Sequence, residues 1–206
     1  MQQPEFIYFD LGKVLLDFSV ERMVRQLAEV AGIAPQRVMQ VVFESDLQRR
    51  YEAGQISSRE FYETFCRETA TQPDYRALAQ AGRDIFTLRA EMLPLIAQLQ
   101  QGGRRLGILS NTCEIHWEYC LDRFRILTDA FPVHALSYRL GVCKPDAAIF
   151  QAAAELAGVE PQAVFFVDDL PQHVAGARAA GFDAVQYTST RQLADDLQQR
   201  GIRLTF

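Results

Sequence analysis

The chain is poor in the residues that build most metal and redox sites. Among 206 residues there are three histidines, one tryptophan and four cysteines, with no CxxC pair. This leaves no His/Cys set at metal-ligand spacing and no disulfide framework. Cys66, Cys113, Cys120 and Cys143 read as small buried thiols of a reducing compartment, so a cytoplasmic location is expected. No apolar run approaches the roughly 18 residues of a membrane span. Met1 to Phe9 lacks the basic stretch and long apolar segment of a secretory signal. There is no excess of positive charge either: 21 basic against 26 acidic residues leave −5. Nucleic acid is therefore not an expected partner, because phosphate contacts need clustered Lys and Arg. Repeats, low-complexity tracts and disordered linkers are missing too. What is present is 49% apolar and 23% charged, a globular composition long enough to bury a core in one or two domains.

Short apolar runs alternate with helical periods. Phe6–Phe9, Leu106–Leu109, Val133–Leu136, Val164–Val167 and Ala184–Tyr187 read as buried strands. Helices are expected over Leu93–Leu99, over Ala147–Ala157 after Pro145-Asp146, and over Val174–Ala180 with Gly181 as its stop. Strands alternating with helices imply an α/β fold, a doubly wound parallel sheet covered on both faces. One gap of about ninety residues between the first two strands is far too long for a single crossover helix. Val20, Met23, Val24, Leu27, Ala28 and Ala31 mark one apolar helix face there, and Val38, Val41 and Val42 continue it after Pro35. Ser57-x-x-Glu60 is a capping box ahead of Phe61 and Phe65, and Ala77 to Leu88 is a further amphipathic piece. The expected division is a core of residues 1–17 and 91–206 with an all-helical insert over 18–90.

Polar clusters follow three of the strands: Asp10, Ser110-Asn111-Thr112 and Asp168-Asp169. Ligands of an open parallel sheet bind at the carboxyl ends of its strands, so these segments are expected to converge, with Lys144 reaching the same edge as the start of a helix. Each signal alone is equally explained by helix capping or a turn; together, at one edge, they point to a site. Three carboxylates about 4 Å apart cost about 4 kcal/mol per pair at an effective dielectric near 20. Either they protonate or a cation sits among them. An all-oxygen donor set selects a hard ion, with Mg²⁺ the common choice. A dication, a lysine, a serine hydroxyl and free backbone N–H groups describe a phosphate pocket. Asp10 is the candidate nucleophile, forming an acyl-phosphate that water resolves. Lys144, Ser110 and the metal would stabilise the charge spread over the transferring group. This requires Asp10 and Asp169 to lie within about 10 Å of each other, given Mg²⁺–oxygen bonds of about 2.0–2.1 Å.

Four segments carry a family resemblance: FDLGKVLLDF (Phe9 to Phe18), LSNT (Leu109 to Thr112), GVCKPDAAIF (Gly141 to Phe150) and FFVDDLPQHVAGARAAG (Phe165 to Gly181). In this order, with a helical insert after the first, the whole chain resembles the haloacid dehalogenase-like (HAD) hydrolase superfamily, subfamily IA, with a C1-type helical cap. The FDLG opening and RRYEAGQIS (Arg49 to Ser57) look most similar to its glucose-1-phosphate phosphatase-like branch. The resemblance implies a Rossmann-like core and a Mg²⁺-dependent phosphatase acting on small phosphorylated metabolites, a sugar phosphate among the candidates. Carried onto this chain, Asp10 is nucleophile and metal ligand, and the Gly12 carbonyl is a second ligand. Asp169 is the more direct carboxylate ligand, with Asp168 bound directly or through water. Ser110, Asn111 and Lys144 hold the phosphoryl group. Two departures stand out. Most phosphatases of the superfamily carry an Asp acid/base two residues after the nucleophile, where this chain has Gly12. His173 occupies a position where the pattern usually has Asn.

Two other functions fit parts of the pattern. A 2-haloacid dehalogenase also has no carboxylate at the position of Gly12, but it uses no metal and lacks the acid pair. A non-catalytic phosphometabolite-binding protein of the same fold explains the missing acid differently. The substrate and the oligomeric state, monomer or homodimer, are not legible. His116 and His134 are expected at the surface or in packing, and Trp117 in the core.

Overall fold

The computed structural model describes residues 3–205. Its centre is a five-stranded, all-parallel sheet made of β1 (Phe6–Phe9), β4 (Arg105–Ser110), β5 (Val133–Leu136), β6 (Val164–Asp168) and β7 (Asp183–Gln186), in the order β5-β4-β1-β6-β7. Every apolar run expected as a strand is one, to within two residues. Alternation along β1 explains the layering. Ile7 and Phe9 face one core with Leu106, Ile108, Phe165 and Val167, while Phe6 and Tyr8 face the other with Leu109, Val164 and Phe166. Helices α6 (Leu93–Gln101), α7 (Glu114–Arg123), α8 (Ile126–Ala130) and α12 (Thr190–Gln199) close the first face. Helices α10 (Ala147–Ala157) and α11 (Pro171–Ala179) close the second. This is the doubly wound arrangement. No helix among the described residues is long and apolar enough to cross a membrane.

Residues 20–83 form α1 (Val20–Ala31), α2 (Pro35–Met39), a π turn over Gln40–Glu44, α3 (Leu47–Glu52), α4 (Ser58–Thr69) and α5 (Tyr75–Arg83). Both halves of the Ser57/Glu60 capping box are made. These helices bury their own cluster, built on Met23, Leu27, Val42, Tyr51, Phe65 and Leu78. The stretch is not all-helical. The expected helix to Leu88 stops at Arg83, and Phe86–Leu88 becomes β3, antiparallel to β2 (Leu16–Phe18). Phe86-Thr87-Leu88 is β-prone, and pairing with Leu16–Phe18 satisfies backbone groups that a frayed helix end would leave open. This two-stranded ribbon joins the insert to the sheet.

The insert also touches the sheet domain directly, at the last residue of α3 and just beyond it. The Ser137 hydroxyl, at the start of α9 (Ser137–Leu140), donates to the Glu52 carbonyl at 2.6 Å. Gly54 has φ +65°, and a Cβ there would lie 2.2 Å from the Tyr138 carbonyl oxygen. Only glycine fits both demands. Gly54→Ala is expected to cost about 2–4 kcal/mol through strain and overpacking, read as a lowered midpoint in urea with unchanged slope; an unchanged midpoint would show that the two parts do not meet there.

Candidate active site

The expected convergence at the sheet edge is present. β1, β4 and β6 are adjacent, with Phe9 level with Ile108 and Val167. Asp10, Ser110 and Asp168 therefore emerge side by side, and Asp10 N–H continues the ladder to the Val167 carbonyl at 2.9 Å. Asp10, Asp168 and Asp169 each offer a carboxylate oxygen, all within 4.8 Å of one another.

Lys144 ties this cluster together. It lies in the loop before α10, whose first residue is Ala147, not within the helix as expected. Its side chain is fully buried, and its Nζ donates to Asp10 Oδ1 at 2.9 Å, Asp168 Oδ2 at 2.6 Å and the Leu109 carbonyl at 3.0 Å. Those three bonds use all its protons. Burial alone would depress its pKa, but the two carboxylates outweigh that and hold it above the ordinary lysine value. Asn111 anchors the loop: its Oδ1 accepts from the Lys144 N–H at 2.8 Å and its Nδ2 donates to the Lys144 carbonyl at 3.0 Å. One Nδ2 proton is left for another acceptor.

The three acids differ sharply. Asp168 is fully buried and saturated. Besides Lys144 it accepts from the Leu170 N–H at 2.9 Å and lies 3.1 Å from His173 Nδ1. Against the penalty of burial, Lys144 and then His173 pull its pKa down to about 2. Asp10 goes the other way. Desolvation, opposed by Lys144 and reinforced by Asp168, pushes it up to about 6. Its Oδ1 accepts from Lys144 and from the Leu11 N–H at 2.8 Å, while Oδ2 accepts no hydrogen bond among the described residues. Asp169 is half-buried and also raised, by burial and by Asp168. Two carboxylates strained toward protonation, facing each other with oxygens to spare, suit a hard cation. The Gly12 carbonyl, next but one to Asp10 in the chain, likewise accepts no hydrogen bond among the described residues. The donor set thus fits Mg²⁺.

Phe18 packs against both Gly12 and Lys13. A Cβ on Gly12 would come 2.8 Å from the Phe18 ring. That ring is held by Phe86 at 6.1 Å and by Lys13 Nζ at 4.9 Å. Lys13 Nζ itself bonds the Phe18 carbonyl at 2.9 Å and Asp17 at 3.2 Å, away from the carboxylates. A side chain at position 12 would have to displace the Phe18 ring.

Above the site lies a cavity of about 90 Å³. Leu11, Gly12 and Ser110 line its sheet side, and Phe18, Gln48 and Glu52 line its insert side. Ser137, which accepts from the Thr112 N–H at 2.9 Å, is absent from the sequence-based candidates. It follows β5 directly, as Asn111 follows β4, so the same strand-end rule would have found it. His116 bonds the Gly82 carbonyl at 3.1 Å and is pushed down to about 4 by burial, a packing residue as expected. Trp117 is fully buried, and His134 packs against it at 4.7 Å.

Comparison with known proteins places this geometry in a family. The haloacid dehalogenase-like hydrolase family matches residues 5–181. The chain belongs to that family. Among curated relatives, phosphatase MT3486 of Mycobacterium tuberculosis is 30% identical over 129 residues, 63% of this chain and 56% of its own length. A phosphoserine phosphatase of Thermus thermophilus is 29% identical over 170 residues, 80% of this chain and 53% of its own length. The chain spans about half the length of these two relatives. Among solved structures, a HAD family enzyme of Bacteroides thetaiotaomicron in complex with magnesium and inorganic phosphate has a TM-score of 0.80 at 23% identity, covering 91% of this chain and 96% of that one. A HAD-like hydrolase of Porphyromonas gingivalis reaches 0.81 at 25% identity, with 98% and 100% covered. The L-2-haloacid dehalogenase of Xanthobacter autotrophicus shares the HAD fold at 0.65 and 20% identity.

Proposed function

We propose that this HAD-like hydrolase is a Mg²⁺-dependent phosphatase of small phosphorylated metabolites, with residues 18–90 acting as a cap over a core of 1–17 and 91–206. The observation that carries this is the asymmetry within the acid cluster: Asp168 is spent on Lys144 and His173, while Asp10 and Asp169 keep free oxygens. Mg²⁺, held by Asp10, Asp169 and the Gly12 carbonyl, with Asp168, whose oxygens are already engaged, reaching it through water, would neutralise charge on the phosphoryl oxygens. Asp10 attacks phosphorus with a carboxylate oxygen, the ester bond breaks, and water then hydrolyses the aspartyl-phosphate. Lys144, already bound to Asp10, draws negative charge from the transferring group, and Ser110 and the free Nδ2 proton of Asn111 donate to its oxygens. Asp168 and His173 keep Lys144 charged and in place. Phosphatase names among the curated relatives support the same chemistry.

A panel of phosphorylated metabolites, sugar phosphates included, is expected to show phosphate release that EDTA abolishes and Mg²⁺ restores. Chloride release from 2-chloropropionate in EDTA would mean a dehalogenase instead. Tight phosphometabolite binding without turnover would mean a binding protein.

A further inference from the structure

Loss of the acid at position 12 leaves a chemical gap. An alkoxide leaving from phosphorus needs a proton, and Gly12, packed beside the Phe18 ring, has no side chain to give it. Two titratable side chains line the cavity above that loop, His116 and Glu52. His116 has no proton to offer, because it is neutral and its Nε2–H is directed to the Gly82 carbonyl. Glu52 is free to act. Its Oε1 accepts from the Gln48 amide Nε2 at 2.8 Å, and its Oε2 makes no hydrogen bond among the described residues. Its backbone is fixed over the sheet edge by Ser137 and by the close fit of Gly54 on Tyr138.

Resting on the phosphatase reading above, we propose that Glu52 is the catalytic residue that protonates the leaving group, delivered by the insert to replace the carboxylate missing at position 12. As the bond from Asp10 to phosphorus forms, the ester bond breaks and its electron pair goes to the ester oxygen, which takes the proton of the Glu52 carboxylic acid. The Glu52 carboxylate then accepts a proton from the water that attacks the aspartyl-phosphate. That step breaks the bond to Asp10, releases phosphate and restores both carboxyl groups. Burial holds Glu52 above the ordinary glutamate range, opposed by Gln48 and Lys144, so the donating form persists to higher pH.

The test compares leaving groups. In Mg²⁺ buffer, kcat/KM is measured for p-nitrophenyl phosphate, which leaves without help, and for the best alkyl phosphate of the metabolite panel. Glu52→Gln keeps the bond to Gln48 but cannot give up a proton. It is expected to lose about 10²–10⁴-fold more on the alkyl than on the aryl ester. Glu52→Asp, which keeps a carboxyl, is expected to lose less of that difference and serves in its place if Glu52→Gln folds poorly. Equal losses on both esters would reduce Glu52 to a binding or structural residue and overturn the proposal, as would a parent enzyme with no alkyl phosphatase activity. No phosphate release from any ester by the parent would overturn the phosphatase reading itself.

Discussion

Asp10→Asn is expected to end phosphate release while making the metal-free protein more stable. Removal of a covalent nucleophile costs on the order of 10⁴-fold or more in turnover. The gain in stability follows from the raised pKa. From 3.8 in the unfolded chain to about 6 in the fold, the folded state holds the proton more tightly, so stability falls as pH rises through that window. At about 1.36 kcal/mol per unit, ionised Asp10 costs about 3 kcal/mol at neutral pH. Asparagine cannot ionise. Part of that cost, about 1–3 kcal/mol, should be recovered as a melting temperature about 2–10 °C higher in EDTA. Mg²⁺ should raise the melting temperature of the parent and leave that of the variant nearly unmoved. Unchanged activity would remove Asp10 from its role. A variant less stable than the parent in EDTA would show that its bond to Lys144 outweighs its burial.

Lys144→Met should be damaging for the opposite reason. It takes the cation from two buried carboxylates and leaves them uncompensated, which costs about 3–5 kcal/mol, or roughly 6–20 °C in a chain of this size. The deficit should shrink as pH falls. Without Lys144 the Asp10 pKa rises further and that of Asp168 rises from its depressed value, so both protonate earlier on acidification and the repulsion disappears. Millimolar Mg²⁺ should recover part of the loss, being a second source of positive charge for the same oxygens. Thermal melts at pH 5 and pH 7.5, with and without Mg²⁺, check both. A deficit independent of pH and metal would mean that packing of the lysine stem, not charge, was lost.

The sheet and its site were legible for a physical reason. Strands buried on both faces appear as unbroken apolar runs, and the polar residues ending Phe6–Phe9, Leu106–Leu109 and Val164–Val167 could only meet at one edge. β3 was not legible, because Ile85, Phe86 and Leu88 continue the helical spacing of Leu78 and Ala81, and three residues are too few to reveal a period of two. The unequal roles of Asp168 and Asp169 came only from the family resemblance, not from the residues themselves. Yet alternation holds the cue: Val164, Phe166 and Asp168 share one face of β6, the face on which Lys144 lies over the Phe166 ring at 5.3 Å. Asp169, past the strand end, is free of that constraint. Asn111 was expected to hold phosphate; its engagement with the Lys144 backbone depends on a loop conformation that residue types alone do not specify.

The central place of β1 has a kinetic consequence. Its amides are bonded between two parallel neighbours, so Tyr8 and Phe9 can trade their hydrogens with water only when the whole sheet comes apart. The helices around Glu52 rest on a different apolar cluster, which takes in only Cys113 and Ile115 from the sheet domain, and are expected to open at a lower free energy. Mild denaturation should therefore strip away the control over which molecules react before it touches the group that does the attacking.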